Sequence, residues 1–349
     1  MKTIFVWMRA ALLPSLLGLC APAFAGMGLT ELPGQRGDGP VTVYYPTQAA
    51  EQTVTRGPFQ LQLAPHALPQ RGNGRLVVIS HGSPGSPWVH ADLARALVDA
   101  GYTVALPEHR ADNYKDGSDP GPASWKLRPA EVSRAIDAVA ADARFAPLLA
   151  LDRVGVWGGS AGGHTALSLA GGSWSPGRFR RHCETNIEHD FSSCVGFITR
   201  LNGGLLDGLK KLVALGVIRQ RFDDDTAYSH TDPRIAAAIA AVPFAADFDM
   251  ASLVQPRIPL GLITAAHDIN QVPRFHSGAV LAACTGCTRV AEFADASHGV
   301  MLSPMPPPER LSAIALALLG DPPGFDRPAA VAQLNRATVA FFRRHVLAP

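Results

Sequence analysis

The stretch that most constrains this chain is Arg153-Val-Gly-Val-Trp-Gly-Gly-Ser-Ala-Gly-Gly-His164, which runs on into Thr165-Ala-Leu-Ser-Leu-Ala170. Val154 to Trp157 are strand formers, Ala161 to Ala170 are mostly small or helix-forming, and the turn between spells G-x-S-x-G at Gly158, Ser160 and Gly162. That spacing puts a serine on a sharp strand-to-helix bend with its hydroxyl exposed. The glycines meet a steric demand, because so tight a bend has no room for Cβ atoms and holds the serine itself in strained backbone space. The following helix turns its first N–H groups toward the serine, where they can stabilise negative charge on a substrate oxygen. Alone, the motif also fits a plain small-residue crossing of strand and helix. The rest of the chain has to supply the partners.

Strands and helices alternate around it. Arg75–Ser80 and Tyr102–Pro107 read as buried parallel strands before the bend, and Ala237–Val242, Pro259–Ala266 and Arg289–Phe293 as strands after it. Helices are expected at Val89–Ala100, from about Pro129 to Arg144, at Phe275–Ala283 and at Pro328–Val346. Val41–Tyr45 and Phe59–Leu63, set among proline and glycine turns, suit an antiparallel edge. This rhythm implies an α/β fold, a mostly parallel central sheet with helices on both faces and ligands gathered at the carboxyl ends of the strands. No internal repeat or low-complexity linker splits the chain, so one domain is expected over residues 26–349, with an insertion at about 172–233. That insertion breaks the rhythm and reads as a lid or pocket wall, or alternatively as a structural extension packed away from the site. It holds a helix candidate at Leu205–Ile218 and the acidic run Asp223–Asp225, which lacks the spacing of a calcium loop and reads as a solvated turn.

The first 25 residues read as a secretory signal peptide: Lys2 and Arg9 flank apolar runs, and Ala23-Phe-Ala25 offers the small residues of a cleavage site. A lipoprotein start at Cys20 is the alternative, though Leu19 stands where such sites want a small residue. Loss of Lys2 and Arg9 takes the formal charge from +2 to about 0. With charged residues at only 17% and no basic stripe interleaved with aromatics, nucleic acid and anionic surfaces are poor partners. No later apolar run is long enough to span a bilayer. Four cysteines then remain, an even number suited to an oxidising compartment, and closeness in sequence favours Cys183 with Cys194 and Cys284 with Cys287. A redox role for Cys284-Thr-Gly-Cys287 would call for the start of a helix, and this pair follows one, so a structural clip is the better reading.

A nucleophilic serine needs a base to take its proton, an acid to orient that base, and donors for the oxyanion. Ser160, Asp268 at a strand end and His298 in the loop after the last strand stand in the chain order of an α/β-hydrolase triad. Asp247 and Asp249, after the preceding strand, are the alternative acids. His267 adjoins Asp268, and His81 and His109 sit at other strand ends, where they read as hydrogen-bonded structural residues. The oxyanion donors expected are the backbone amides of Ala161, next after the nucleophile, and Ser83, in the loop after the Arg75–Ser80 strand.

With those residues in place, the chain resembles the secreted α/β-hydrolases described as predicted dienelactone hydrolases, relatives of platelet-activating-factor acetylhydrolases. The likeness rests on Ser80-His-Gly-Ser-Pro-Gly, Gly101-Tyr-Thr-Val-Ala-Leu-Pro, the Gly158–Gly163 bend, Pro323-Gly-Phe-Asp-Arg and the terminal Phe-Phe-Arg-Arg. It implies hydrolysis of a small-molecule carboxylic ester through an acyl-serine, without metal or organic cofactor. Two departures stand out. Dienelactone hydrolases proper use cysteine where this chain has Ser160, so lactone specificity does not carry over. The histidine common before the serine is Gly159 here, which opens space beside the nucleophile. The expectation is an exported serine esterase; the alternatives are polyester, lipid or peptide cleavage at the same site, or a catalytically silent binding protein.

Overall fold

Side-chain alternation along parallel strands fills two cores at once, and it does so across this sheet. The computed structural model describes residues 26–347, so the signal peptide expected at 1–25 lies outside the described residues. The strands are β1 (Gly26–Leu32), β2 (Val41–Thr47), β3 (Gln52–Arg56), β4 (Phe59–Pro65), β5 (Leu76–Ser80), β6 (Thr103–Pro107), β7 (Val154–Gly159), β8 (Ile235–Ala241), β9 (Leu260–Ala265) and β10 (Thr288–Phe293). They form one sheet in the order β10-β9-β8-β7-β5-β6-β2-β1-β4-β3. From β10 to β6 every neighbour is parallel. β2 then runs antiparallel to both β6 and β1, and β3 and β4 close the edge as a hairpin. Within β5, Leu76 and Val78 enter one core while Val77 and Ile79 enter the other. Each such fully buried side chain contributes about 1.5–3 kcal/mol.

The helices are α1 (Ala91–Asp99), α2 (Pro122–Ala141), α3 (Ala161–Leu169), α4 (Pro176–Asn186), α5 (Phe191–Val195), α6 (Asp207–Arg221), α7 (Ser277–Ala283), α8 (Ala313–Leu319) and α9 (Arg327–Phe342). Leu93 and Leu97 of α1 share a core with Leu334 and Phe342 of α9. Val132 and Ile136 of α2, Leu167 of α3 and Val280 of α7 fill the opposite core. The chain thus has the α/β-hydrolase architecture of a large, mostly parallel sheet covered on both faces.

Besides α4, α5 and α8, which the sequence did not announce, α2, β1 and β3 differ from the sequence expectation. α2 begins at Pro122 rather than Pro129, because a proline in the first turn lacks only an N–H that had no acceptor there. Pro129 is then carried inside the helix. β1 and β3 were not expected as strands; the first is half glycine and small residues, and the second is largely exposed, so neither carries a strong apolar pattern.

The insertion contains α4, α5 and α6. A disulfide joins Cys183 of α4 to Cys194 of α5, and a second, Cys284–Cys287, clips the turn between α7 and β10. The acidic run is largely solvated, as expected, and is also paired: Asp224 takes Lys126 of α2 at 2.8 Å and the Tyr228 hydroxyl at 2.6 Å, and Asp225 takes Arg181 at 2.6 Å. The Lys126 pair fastens the insertion to α2, and the other two brace the insertion internally. Among the described residues no helix is long and apolar enough to cross a membrane.

Candidate active site

The bend after β7 is as tight as its glycines require. A Cβ on Gly158 would lie 1.9 Å from the Gly162 carbonyl oxygen, and one on Gly162 would lie 1.9 Å from that of Ser80. Ser160 sits between them at φ 55°, ψ −117°, a region that non-glycine residues rarely enter. Three backbone bonds hold it there: its N–H donates to Ala241 at 3.0 Å, and its carbonyl accepts from His164 at 3.1 Å and Phe244 at 3.2 Å. Ala161 opens α3, and a first-turn N–H has no acceptor within its own helix.

The turn after β9 presents Asp268. Its Oδ1 accepts from the backbone of Asn270 at 2.9 Å and Gln271 at 2.7 Å, which fixes the carboxylate, and its Oδ2 lies 2.7 Å from His298 Nδ1. A proton on Nδ1 makes that bond and leaves Nε2 as an acceptor; this nitrogen is buried with no partner. Ser160, His298, Gly82 and Ser83 line one cavity of about 810 Å³. No hydrogen bond joins Ser160 to His298; such bonds often tighten only around a substrate.

The alternative acids are engaged elsewhere. Asp247 lies 3.0 Å from Nε2 of His164, with both side chains fully buried. Asp249 accepts from Ala251 N and pairs with Arg178 at 3.0 Å. His267 is exposed and lines a separate cavity beside Ser297. His81 and His109 are fully buried: His109 N–H donates to His81 Nε2, and the His109 ring lies 2.8 Å from Ser80 Oγ and 2.6 Å from Glu131. Burial pushes the pKa of both histidines well down and that of Glu131 up, so the His109–Glu131 contact is a hydrogen bond more than an ion pair.

A Cβ on Gly82 would stand 3.5 Å from that of Ser160, so this loop lies directly against the serine. Neither the Gly82 nor the Ser83 amide donates to a protein acceptor among the described residues. They are unclaimed donors beside Ser160, as is the amide of Ala161.

Gly159 does not open the pocket as expected. A Cβ there would meet the Met301 sulfur at 2.7 Å and the Trp157 ring at 3.1 Å, so the space beside Ser160 is already filled. The walls also differ from expectation. The insertion gives the cavity only Phe197; the remainder comes from the β3–β4 turn at Gly57–Phe59, from Trp88 and Tyr114, and from residues 301–319. Sequence reasoning missed this last segment because its prolines and short helix α8 carry no periodic signal.

Neither the protein-family models nor the curated proteins gave a match to this chain. Among solved structures, the chain is similar to a ferulic acid esterase from Streptomyces cinnamoneus, at 18% identity over 94% of this chain and 92% of that one, with a TM-score of 0.58. A likeness at this identity is a likeness of fold, and it agrees with the sheet and helices described above.

Proposed function

We propose that this chain is an exported serine hydrolase that cleaves carboxylic esters through an acyl-serine. One observation carries the proposal: His298 is fixed by Asp268 with its free Nε2 in the same cavity as a strained serine and unclaimed backbone amides. In acylation, Ser160 Oγ attacks the ester carbonyl while His298 Nε2 takes its proton. The oxyanion forms against the amide of Ala161 and that of Ser83 or Gly82. His298 then gives the proton to the departing alcohol, and water repeats the sequence to release the acid. Asp268 holds the ring and balances its charge throughout.

The cavity's size and its walls of Phe59, Trp88, Tyr114, Met301 and Leu311 suit short to medium or aromatic esters. The ferulic acid esterase likeness supports ester hydrolysis at a coarse level, and the sequence resemblance to dienelactone-hydrolase-like proteins points the same way. Two disulfides accord with export. A second reading, cleavage of lipid or polymer esters, is favoured by Ile198, Leu206, Leu209 and Leu212, all strongly exposed and following closely on Phe197 at the cavity.

Labelling with a fluorophosphonate, followed by peptide mapping, tests the proposal. The expected result is one adduct on Ser160, absent from Ser160→Ala. Failure of the folded protein to label would favour a silent binding protein instead. Turnover of soluble against emulsified esters separates the two substrate classes.

A further inference from the structure

We infer that Arg128 of α2 is a positioning residue that aims the unclaimed amides of Gly82 and Ser83 at the oxyanion, an assignment resting on the ester hydrolase reading. Arg128 is fully buried, as is its partner Asp112. Its guanidinium reaches across to the loop after β5: Nη1 donates to the His81 carbonyl at 2.5 Å, and Nη2 donates to the Gly82 carbonyl at 3.2 Å and to Asp112 Oδ2 at 2.8 Å. Nε donates to Ser124 at 2.9 Å. Asp112 carries the grip one residue further, because its Oδ1 accepts from the Ser83 hydroxyl at 2.5 Å. Three consecutive residues are thus held by one ion pair.

The direction of the amides follows from peptide geometry. The His81–Gly82 and Gly82–Ser83 bonds are trans, and across a trans peptide C=O and N–H point in opposite directions. Carbonyls turned toward Arg128 leave the Gly82 and Ser83 N–H groups turned away from it, on a loop whose other side lies against Ser160. Gly82 is buried and Ser83 half-buried, and a free loop would rotate its peptides toward protein acceptors. Arg128 on both carbonyls, with His81 Nδ1 also on that of Gly82 at 2.7 Å, removes that escape. A buried ion pair is by itself weak support for stability, so the grip on the loop is the more specific role for this one. A lysine could balance Asp112 but could not fork onto two carbonyls.

The test compares the parent with Arg128→Lys and Ser83→Ala, using a p-nitrophenyl ester and a trifluoromethyl ketone, which mimics the tetrahedral adduct on serine. Folding is checked by circular dichroism and thermal midpoint. Arg128→Lys is expected to lose roughly 10- to 1,000-fold in kcat, the range of a misplaced or missing oxyanion donor, with KM within about threefold. The ketone's affinity should fall in parallel with kcat/KM. Ser83→Ala, which removes only the hydroxyl link, should lose on the order of threefold to tenfold in kcat, as part of one donor's contribution. Parental kcat and ketone affinity in folded Arg128→Lys would overturn the proposal, as would a rise in KM at unchanged kcat. Should Arg128→Lys not fold, Ser83→Ala decides, and its parental kcat overturns the proposal. A parent that hydrolyses no ester and takes no fluorophosphonate overturns the esterase reading, and this assignment with it.

Discussion

His298 and His164 are both buried, and each faces a carboxylate, Asp268 at 2.7 Å and Asp247 at 3.0 Å. Both carboxylates follow strands of the parallel sheet, and both histidines stand close to Ser160 in the fold. They part at the far side of the ring. The free nitrogen of His298 belongs to a residue that lines the cavity, whereas His164 is enclosed by Trp125, Trp174, Phe244 and Phe248, with centroid separations of 5.2, 4.7, 6.0 and 4.7 Å. Pairing a histidine with a carboxylate is therefore common to both, and access to the Ser160 cavity separates them. His164 lies one helical turn past Ser160, and its Nε2 is spent on Asp247 rather than offered to the serine.

The largest effect should come from exchanging the carboxylates one at a time. Asp268→Asn should lower kcat by about 10³–10⁴-fold with the fold intact, because the ring loses its correct tautomer. Asp247→Asn should change kcat less than about threefold, since it leaves the Ser160–His298–Asp268 set untouched. Steady-state kinetics on both variants, beside circular dichroism, reads this directly. A collapse with Asp247→Asn and not with Asp268→Asn would reverse the two assignments.

The second contrast removes the roof of the closed pair. Phe179 of α4 stacks edge-on against Trp125, and the Cys183–Cys194 bridge ties α4 to α5 above the box that holds His164. Replacing both cysteines by serine should cost about 2–4 kcal/mol, the usual range for a short loop. Because the insertion contributes only Phe197 to the cavity, kcat on a small ester should stay near the parent's. Thermal midpoint and kcat measured on one preparation check both halves; a large loss of kcat would make the insertion part of the reacting site.

A third histidine sharpens the comparison from the other side. His90 is buried against Trp157, neither ring nitrogen has a partner, and burial lowers its pKa to about 4. The unfolded chain, titrating near 6.5, then binds more protons than the folded one between about pH 4 and 6.5, so stability rises with pH across that window. The contribution is on the order of 3 kcal/mol, fully present above about pH 6.5 and lost as pH falls to about 4. His81 and His109, also pushed well down by burial, add in the same direction. Denaturant melts of the parent and His90→Leu at pH 4.5 and 7 should show a shallower pH slope in the variant; equal slopes would mean that His90 does not titrate with unfolding.

Residue order and local sterics make much of this legible in the sequence. The bend at Gly158–Gly162 admits only one geometry because its neighbours leave no room for Cβ atoms. The buried strands Leu76–Ser80 and Leu260–Ala265 announced themselves by continuous apolar runs, and the cysteine pairs by proximity. These are short-range properties, written in composition and spacing over a few residues. The contrast between Asp268 and Asp247 is different in kind. Both stand after adjacent parallel strands, and only the packing of aromatic rings around His164 shows why that pair is closed off. Arg128 was illegible for a similar reason. Its partners at His81, Gly82 and Asp112 are joined to it by the crossing of α2 over β5 and β6, and no spacing along the chain encodes which buried carbonyl a guanidinium will meet. The filled space at Gly159 came from Met301, distant in sequence and adjacent only in the fold. Local steric rules determined where Ser160 stands; long-range packing decided which groups share its cavity.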